Sequence, residues 1–237
     1  MSWTQHAADL FGIELSSEQQ RQFDTFHRLL DEWNDKINLT TITDPHEVRI
    51  RHFLDSLSIA SVIGFETGDR LIDVGTGAGF PGVPLAIAFP QIEITLMDST
   101  QKKLNFIDTV ISEMGLKNAK TLHARAEDAG QDNQHREQYD VVTARAVAML
   151  PTLIEYLIPF AKVGGFCIAM KGDSAEHEIE EAKRALFILK GEAKPLAEVQ
   201  LPGVDKVHYL VTIEKLDKTP KIYPRQAGTP KKKPIGT

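Results

Sequence analysis

The chain has 237 residues, is 42% hydrophobic and carries a formal charge of −6, which suits one α/β domain with an appendage and enough apolar side chains for a proper core. Its single cysteine, Cys167, excludes an intrachain disulfide or a multi-cysteine metal site and points to a reducing cytosol. The start "MSWTQHAADLFG" lacks a leader pattern, and no stretch approaches the roughly 20 apolar residues of a membrane span, so a soluble cytoplasmic protein is expected. Charge is uneven: residues 215–237 hold seven Lys or Arg against one Asp, leaving the rest of the chain at −12. An acidic body argues against broad nucleic-acid binding, while a basic tail permits a local contact with RNA.

The first 66 residues read as helical. Thr4 is placed to cap a short helix ending near Gly12, and Ser16 with Gln19 forms a capping-box pattern ahead of Phe23, Phe26, Leu30 and Trp33 at helical spacing. Asp44, Pro45 and Glu47 repeat the start signal before the apolar stripe Ile50, Phe53, Leu54 and Leu57. From residue 67 to 216, short apolar runs alternate with amphipathic stretches, as in a mostly parallel sheet covered by helices. Strands are predicted at 70–74, 92–98, 119–124, 139–145 and 165–171. Two more, at 193–201 and 206–216, have no helix between them and predict an antiparallel pair at one edge. Residues 217–237 carry four prolines and form a basic tail that can be neither a regular helix nor a central strand.

The stretch "LIDVGTGAGFPGVPLAIAF" runs a strand into glycines and then a helix. Gly77, Gly79 and Gly82 satisfy G-x-G-x-x-G, a weak signal alone, in which the backbone approaches a ligand and the helix start offers N–H groups. Asp73, just before the turn, would repel a pyrophosphate and suits a cation such as the α-amino group or sulfonium neighbourhood of S-adenosylmethionine. Asp98 closes the second strand, where a carboxylate accepts from ribose hydroxyls in both NAD and S-adenosylmethionine sites.

Five parallel strands followed by an antiparallel pair is the order of the class I S-adenosylmethionine-dependent methyltransferase sheet, a Rossmann-like seven-stranded fold with helices on both faces. "DVGTGAGFPGVPLAI", with "RHFLDSL" before it and "RAE", "VVTARAVA" and "PRQAGTPKKKP" after it, resembles the RsmG family, also called glucose-inhibited division protein B. The resemblance covers nearly the whole chain. It implies methylation of N7 of guanine 527 in bacterial 16S rRNA, with the rRNA or the small ribosomal subunit as partner and S-adenosylmethionine as cofactor. It further implies that Gly75 and Phe80 line the cofactor site, that Ala126 and Glu127 contact the adenosine, and that Arg145 completes it. Glu127 could accept from the adenine amino group.

Guanine N7 has an exposed lone pair and releases no proton on methylation, so no general base is expected and positioning supplies the catalysis. The fourth strand ends in "TARAVA", without the Asn or Asp, Pro-Pro and aromatic box of enzymes that methylate exocyclic amines. Cys167 lies in an apolar strand and reads as a core thiol. Arg51, His52, Asp55 and Ser56 share a predicted helix, with Arg51 and Asp55 four apart on one face; the resemblance places this helix by the active-site cleft. Arg51, His52, Lys171, Arg225, Lys231, Lys232 and Lys233 are candidate RNA contacts. No metal spacing is evident among the histidines, and nothing demands a dimer. Two other readings stay open: a noncatalytic nucleotide sensor or cell-division factor, and an NAD-dependent oxidoreductase.

Overall fold

The computed structural model describes residues 1–236. It opens with helices α1 (Trp3–Phe11), α2 (Ser17–Ile37) and α3 (Pro45–Val48). Ser2, not Thr4, caps α1, and Gly12 ends it in the left-handed conformation at φ 68°. The capping box of Ser16 and Gln19 is formed at the start of α2, and Asp44 accepts the Glu47 amide at α3. The chain then winds through a π-helical run, Arg49–Leu54, into α4 (Asp55–Leu57).

The sheet contains β1 (Arg70–Val74), β2 (Glu93–Asp98), β3 (Ala119–His123), β4 (Tyr139–Arg145), β5 (Ala161–Lys171), β6 (Gly191–Ala193), β7 (Ala197–Val199) and β8 (His208–Lys215). Its order is β3-β2-β1-β4-β5-β8-β6, with β7 also paired to β8. The first five strands are mutually parallel, and β8 runs antiparallel to β5 on one side and to β6 and β7 on the other. The class I methyltransferase arrangement is therefore present, with eight strands where the sequence predicts seven. Pro195 accounts for the difference: it has no amide to donate, so the segment expected as one strand at 193–201 breaks into β6 and β7. β8 lies inside the sheet, and only β6 and β7 form that edge.

Helices α5 (Gly82–Ala88), α6 (Gln101–Met114), α7 (Ala126–Ala129), α8 (Leu150–Leu157) and α9 (Ala175–Leu189) connect the strands. Side chains alternate across the sheet. Leu71, Leu96, Val141 and Ile168 pack with Phe26, Phe53 and Leu57 of the N-terminal helices and with α5 and α6. Ile72, Met97, Val142 and Cys167 pack on the other face with α8 and α9. Cys167 is fully buried, and burial pushes its thiol up to about 12, which matches a core role.

The C-terminal segment is irregular apart from one short helix, α10 (Thr229–Lys232). It does not stand off in solvent: Pro230 and Ile235 are buried.

Candidate active site

β1 sits between β2 and β4, so successive crossovers leave it in opposite directions and open a crevice at its carboxyl end. There the chain turns sharply. The amides of Gly75 and Thr76 both donate to Met97 O, at 2.8 and 2.9 Å, and Gly75, Gly77 and Gly79 take positive φ of 73°, 62° and 90°. A Cβ on Gly75 would lie 2.8 Å from Val147 Cγ2, so a side chain there would close the space in front of the turn.

The crevice is a cleft of about 350 Å³. Gly75, Asp98, Ala126 and Glu127 line it, at the ends of three neighbouring strands. Asp98 is fixed by two backbone donors, the amide of Gly77 at 3.0 Å to Oδ2 and that of Thr100 at 2.8 Å to Oδ1. Glu127 is buried on α7, and its Oε1 accepts the amide of Gly228 at 2.9 Å. Ser99, Thr100, Lys103, Val147 and Tyr156 also line the cleft and escaped sequence reasoning. Ser99 and Thr100 were within reach of it, since they follow the second acid directly. Nothing in the sequence marks Tyr156.

Five residues expected in the cofactor site stand behind or beside the cleft. Gly77 and Gly79 shape the turn. Asp73 is fully buried, its Oδ2 accepts the amide of Gly82 at 2.9 Å, and burial raises its carboxyl to about 6. Asp73 therefore occupies the helix start that the sequence suggests is open to a ligand. Phe80 packs inward against Phe26 and His52, at centroid distances of 5.2 and 4.5 Å.

Arg145 faces away from the cleft. Its guanidinium lies 4.9 Å from the Phe80 ring centroid and donates to Asp55 Oδ2 at 3.1 Å and Arg51 O at 3.2 Å. Asp55, 4% exposed, also holds His208 Nδ1 at 2.9 Å, which raises the pKa of His208. With Lys171, these three residues line a second pocket of about 270 Å³ that meets the first at Ala146. Ala146 takes φ 55°, a strained conformation for a residue with a Cβ, where the two pockets join.

The candidate RNA contacts divide. Arg51 is exposed but pairs with Glu47 at 2.8 Å, while Asp55 is taken by Arg145 and His208. His52 is buried, its Nε2 lies 2.8 Å from Thr40 Oγ1, and burial with the charge of Arg145 lowers its pKa to about 4. Lys171 is held by Glu178 at 2.7 Å and by Ala148 O at 2.6 Å. Arg225 grips Glu155, with Nη2 2.6 Å from Oε2 and Nε 2.9 Å from Oε1. His52, Lys171 and Arg225 are thus committed inside the protein. Lys231, Lys232 and Lys233 are exposed.

The family profile described as rRNA small subunit methyltransferase G matches residues 19–204. The chain belongs to that family. It is 47% identical over 223 residues to "Ribosomal RNA small subunit methyltransferase G" of Desulfitobacterium hafniense, covering 94% of this chain and 92% of that one. The protein of the same name from Acetivibrio thermocellus is 48% identical over 225 residues, covering 95% and 92%. Among solved structures, an S-adenosylmethionine-dependent O-methyltransferase from Thermotoga maritima superposes with a TM-score of 0.54 at 18% identity, over 81% of this chain and 72% of that one. This likeness identifies the shared fold. The family members are rRNA methyltransferases by name, and the cleft at the switch point lies where this fold binds its ligand.

Proposed function

We propose that the protein transfers a methyl group from S-adenosylmethionine to N7 of a guanine in small-subunit rRNA, guanine 527 in the numbering of the resemblance. The observation that carries this reading is the pair of pockets meeting at Ala146, one backed by a glycine turn and two fixed acids, in a chain of this family. The cleft suits the cofactor: Gly75 leaves room that a Cβ would fill, and Asp98 is placed for ribose hydroxyls. Glu127 stands at the next strand end for the adenine. The second pocket then takes the acceptor base.

S-adenosylmethionine supplies an electrophilic methyl, and guanine N7 already carries the attacking lone pair. No proton has to leave, and the protein's tasks are to bind, align and exclude water. The titratable groups around the second pocket fit that division of labour. Asp55 is tied to Arg145 and His208, and Lys171 to Glu178, so each is engaged in holding structure. No helix among the described residues is long and apolar enough to cross a membrane. A cytoplasmic monomer that works without metal completes the proposal.

Calorimetric titration separates the reading from its rivals. S-adenosylmethionine should bind saturably and NAD should not. NAD binding would favour the oxidoreductase, and S-adenosylmethionine binding without transfer to any form of the subunit would favour the sensor.

A further inference from the structure

The segment after β8 is anchored by backbone contacts that its composition does not suggest. Arg136 donates to Tyr223 O at 2.7 Å and Thr219 O at 2.8 Å, and Gln131 Nε2 donates to Pro224 O at 2.8 Å. Two further anchors reach the cleft's own elements. Arg225 holds Glu155, which is fully buried and directly precedes Tyr156 of the cleft wall; besides its side-chain bonds, its amide donates to Oε1 at 2.8 Å. Three residues on, Gly228 takes φ 81° and points its amide at Glu127 Oε1. Glu127 Oε2 meets no protein donor among the described residues, which leaves this oxygen free to accept from a ligand in the cleft.

We propose that the C-terminal segment is part of the cofactor site, with Arg225 and Gly228 as positioning residues that hold Tyr156 and Glu127 in place for the nucleoside. The inference rests on reading the cleft as the S-adenosylmethionine site. A buried glutamate fixed through one oxygen loses little further freedom when the ligand arrives, which strengthens binding without a direct contact. Arg225 locks the segment and Gly228 delivers the donor. By linkage, cofactor binding must tighten the docking of the segment by the same factor.

The test is calorimetric titration of the full chain and its variants with S-adenosylmethionine and with 5′-methylthioadenosine, which lacks the amino-acid half. Arg225→Met and Gly228→Ala should each weaken both ligands by on the order of tenfold, because the disturbed contact lies on the nucleoside side. In turnover, KM for S-adenosylmethionine should rise equally while kcat at saturation stays unchanged, and Arg225→Lys should recover part of the loss. Glu127→Gln separates the two layers of the inference. If it binds normally, Glu127 is not a cofactor contact and the proposal fails, while the cleft assignment is decided by Gly75→Asp. If it binds weakly while Arg225→Met and Gly228→Ala keep wild-type affinity, the cleft assignment stands and the tail's role is refuted. A lower melting temperature with unchanged affinity would likewise refute it.

Should the variants fail to fold, the unmodified protein still decides. Hydrogen exchange at residues 217–236 should slow when S-adenosylmethionine is added, and unchanged exchange at saturation would overturn the proposal.

Discussion

At Gly75 the backbone conformation and the cleft volume make one constraint. A side chain there would adopt φ 73° and meet Val147 at 2.8 Å. Gly75→Asp is expected to abolish detectable cofactor binding in calorimetry while the chain stays folded, and unchanged affinity would refute the assignment of the cleft. His52 supports a pH prediction. The folded protein keeps its ring neutral down to about pH 4, whereas the unfolded chain takes up a proton near 6.5. Stability from this residue is therefore complete above pH 6.5 and declines as pH falls toward 4, by about 3 kcal/mol at the limit. His208 has the opposite sign, since its raised pKa gives stability that is full below about 6.5 and is lost as pH rises through the folded value. Urea titrations from pH 4 to 6.5 should show a shallower rise for His52→Gln than for wild type. Parallel curves would contradict the assigned shift.

Asp98 is legible from its place at a strand end, where an open α/β sheet receives a ligand, whereas Gly75, Ala126 and Glu127 come from the family resemblance; all four line the cleft. Asp73 and Arg145 show where the same logic stops. Sequence places both at the correct edge, but whether a charge faces the cleft depends on its partner. Asp73 turns to the amide of Gly82, and Arg145 to Asp55, 90 residues away in sequence.

At the scale of elements, the N-terminal helices and the glycine turn share one core. Phe26 is fully buried and lies 5.2 Å from Phe80 and 5.5 Å from Phe53 between ring centroids. Phe26→Ala should cost about 3–5 kcal/mol in denaturant unfolding and weaken cofactor binding by loosening the support of the turn. A loss below about 1 kcal/mol would show that the helices are not part of the catalytic core. Apolar spacing revealed these helices, and capping residues fixed their starts at Ser16 and Asp44. The π-helical run leaves no comparable signal, and Glu47 and Asp55 each lie four residues from Arg51, so spacing alone does not choose its partner. The split of β6 from β7 was readable in Pro195, whose effect on a strand is local.

Across the whole molecule, the contrast between acidic body and basic tail survives folding in altered form. Lys215 is fully buried and pairs with Glu137, Arg225 pairs with Glu155, and the exposed charge concentrates at Lys231, Lys232 and Lys233. Replacing these three lysines with glutamine should weaken rRNA binding and reduce the slope of log affinity against log salt by about 2, the value for three single-strand phosphate contacts. An unchanged slope would remove the tail from the RNA interface. Composition could rule out a long helix or a central strand in residues 217–237, which hold only the single turn α10 among the described positions. It could not show that they dock, because docking relies on carbonyl oxygens received by Gln131 and Arg136 and on carboxylates presented by Glu127 and Glu155, about 70 to 100 residues earlier.

Methyl transfer tests the central claim most directly: S-adenosylmethionine carrying a radiolabelled methyl, small subunits from a strain lacking this gene, and mapping of the labelled nucleotide. Label confined to N7 of one guanine in the small-subunit rRNA is the predicted result. Label at another atom or nucleotide, or none on subunits and free rRNA while S-adenosylmethionine still binds, would contradict it.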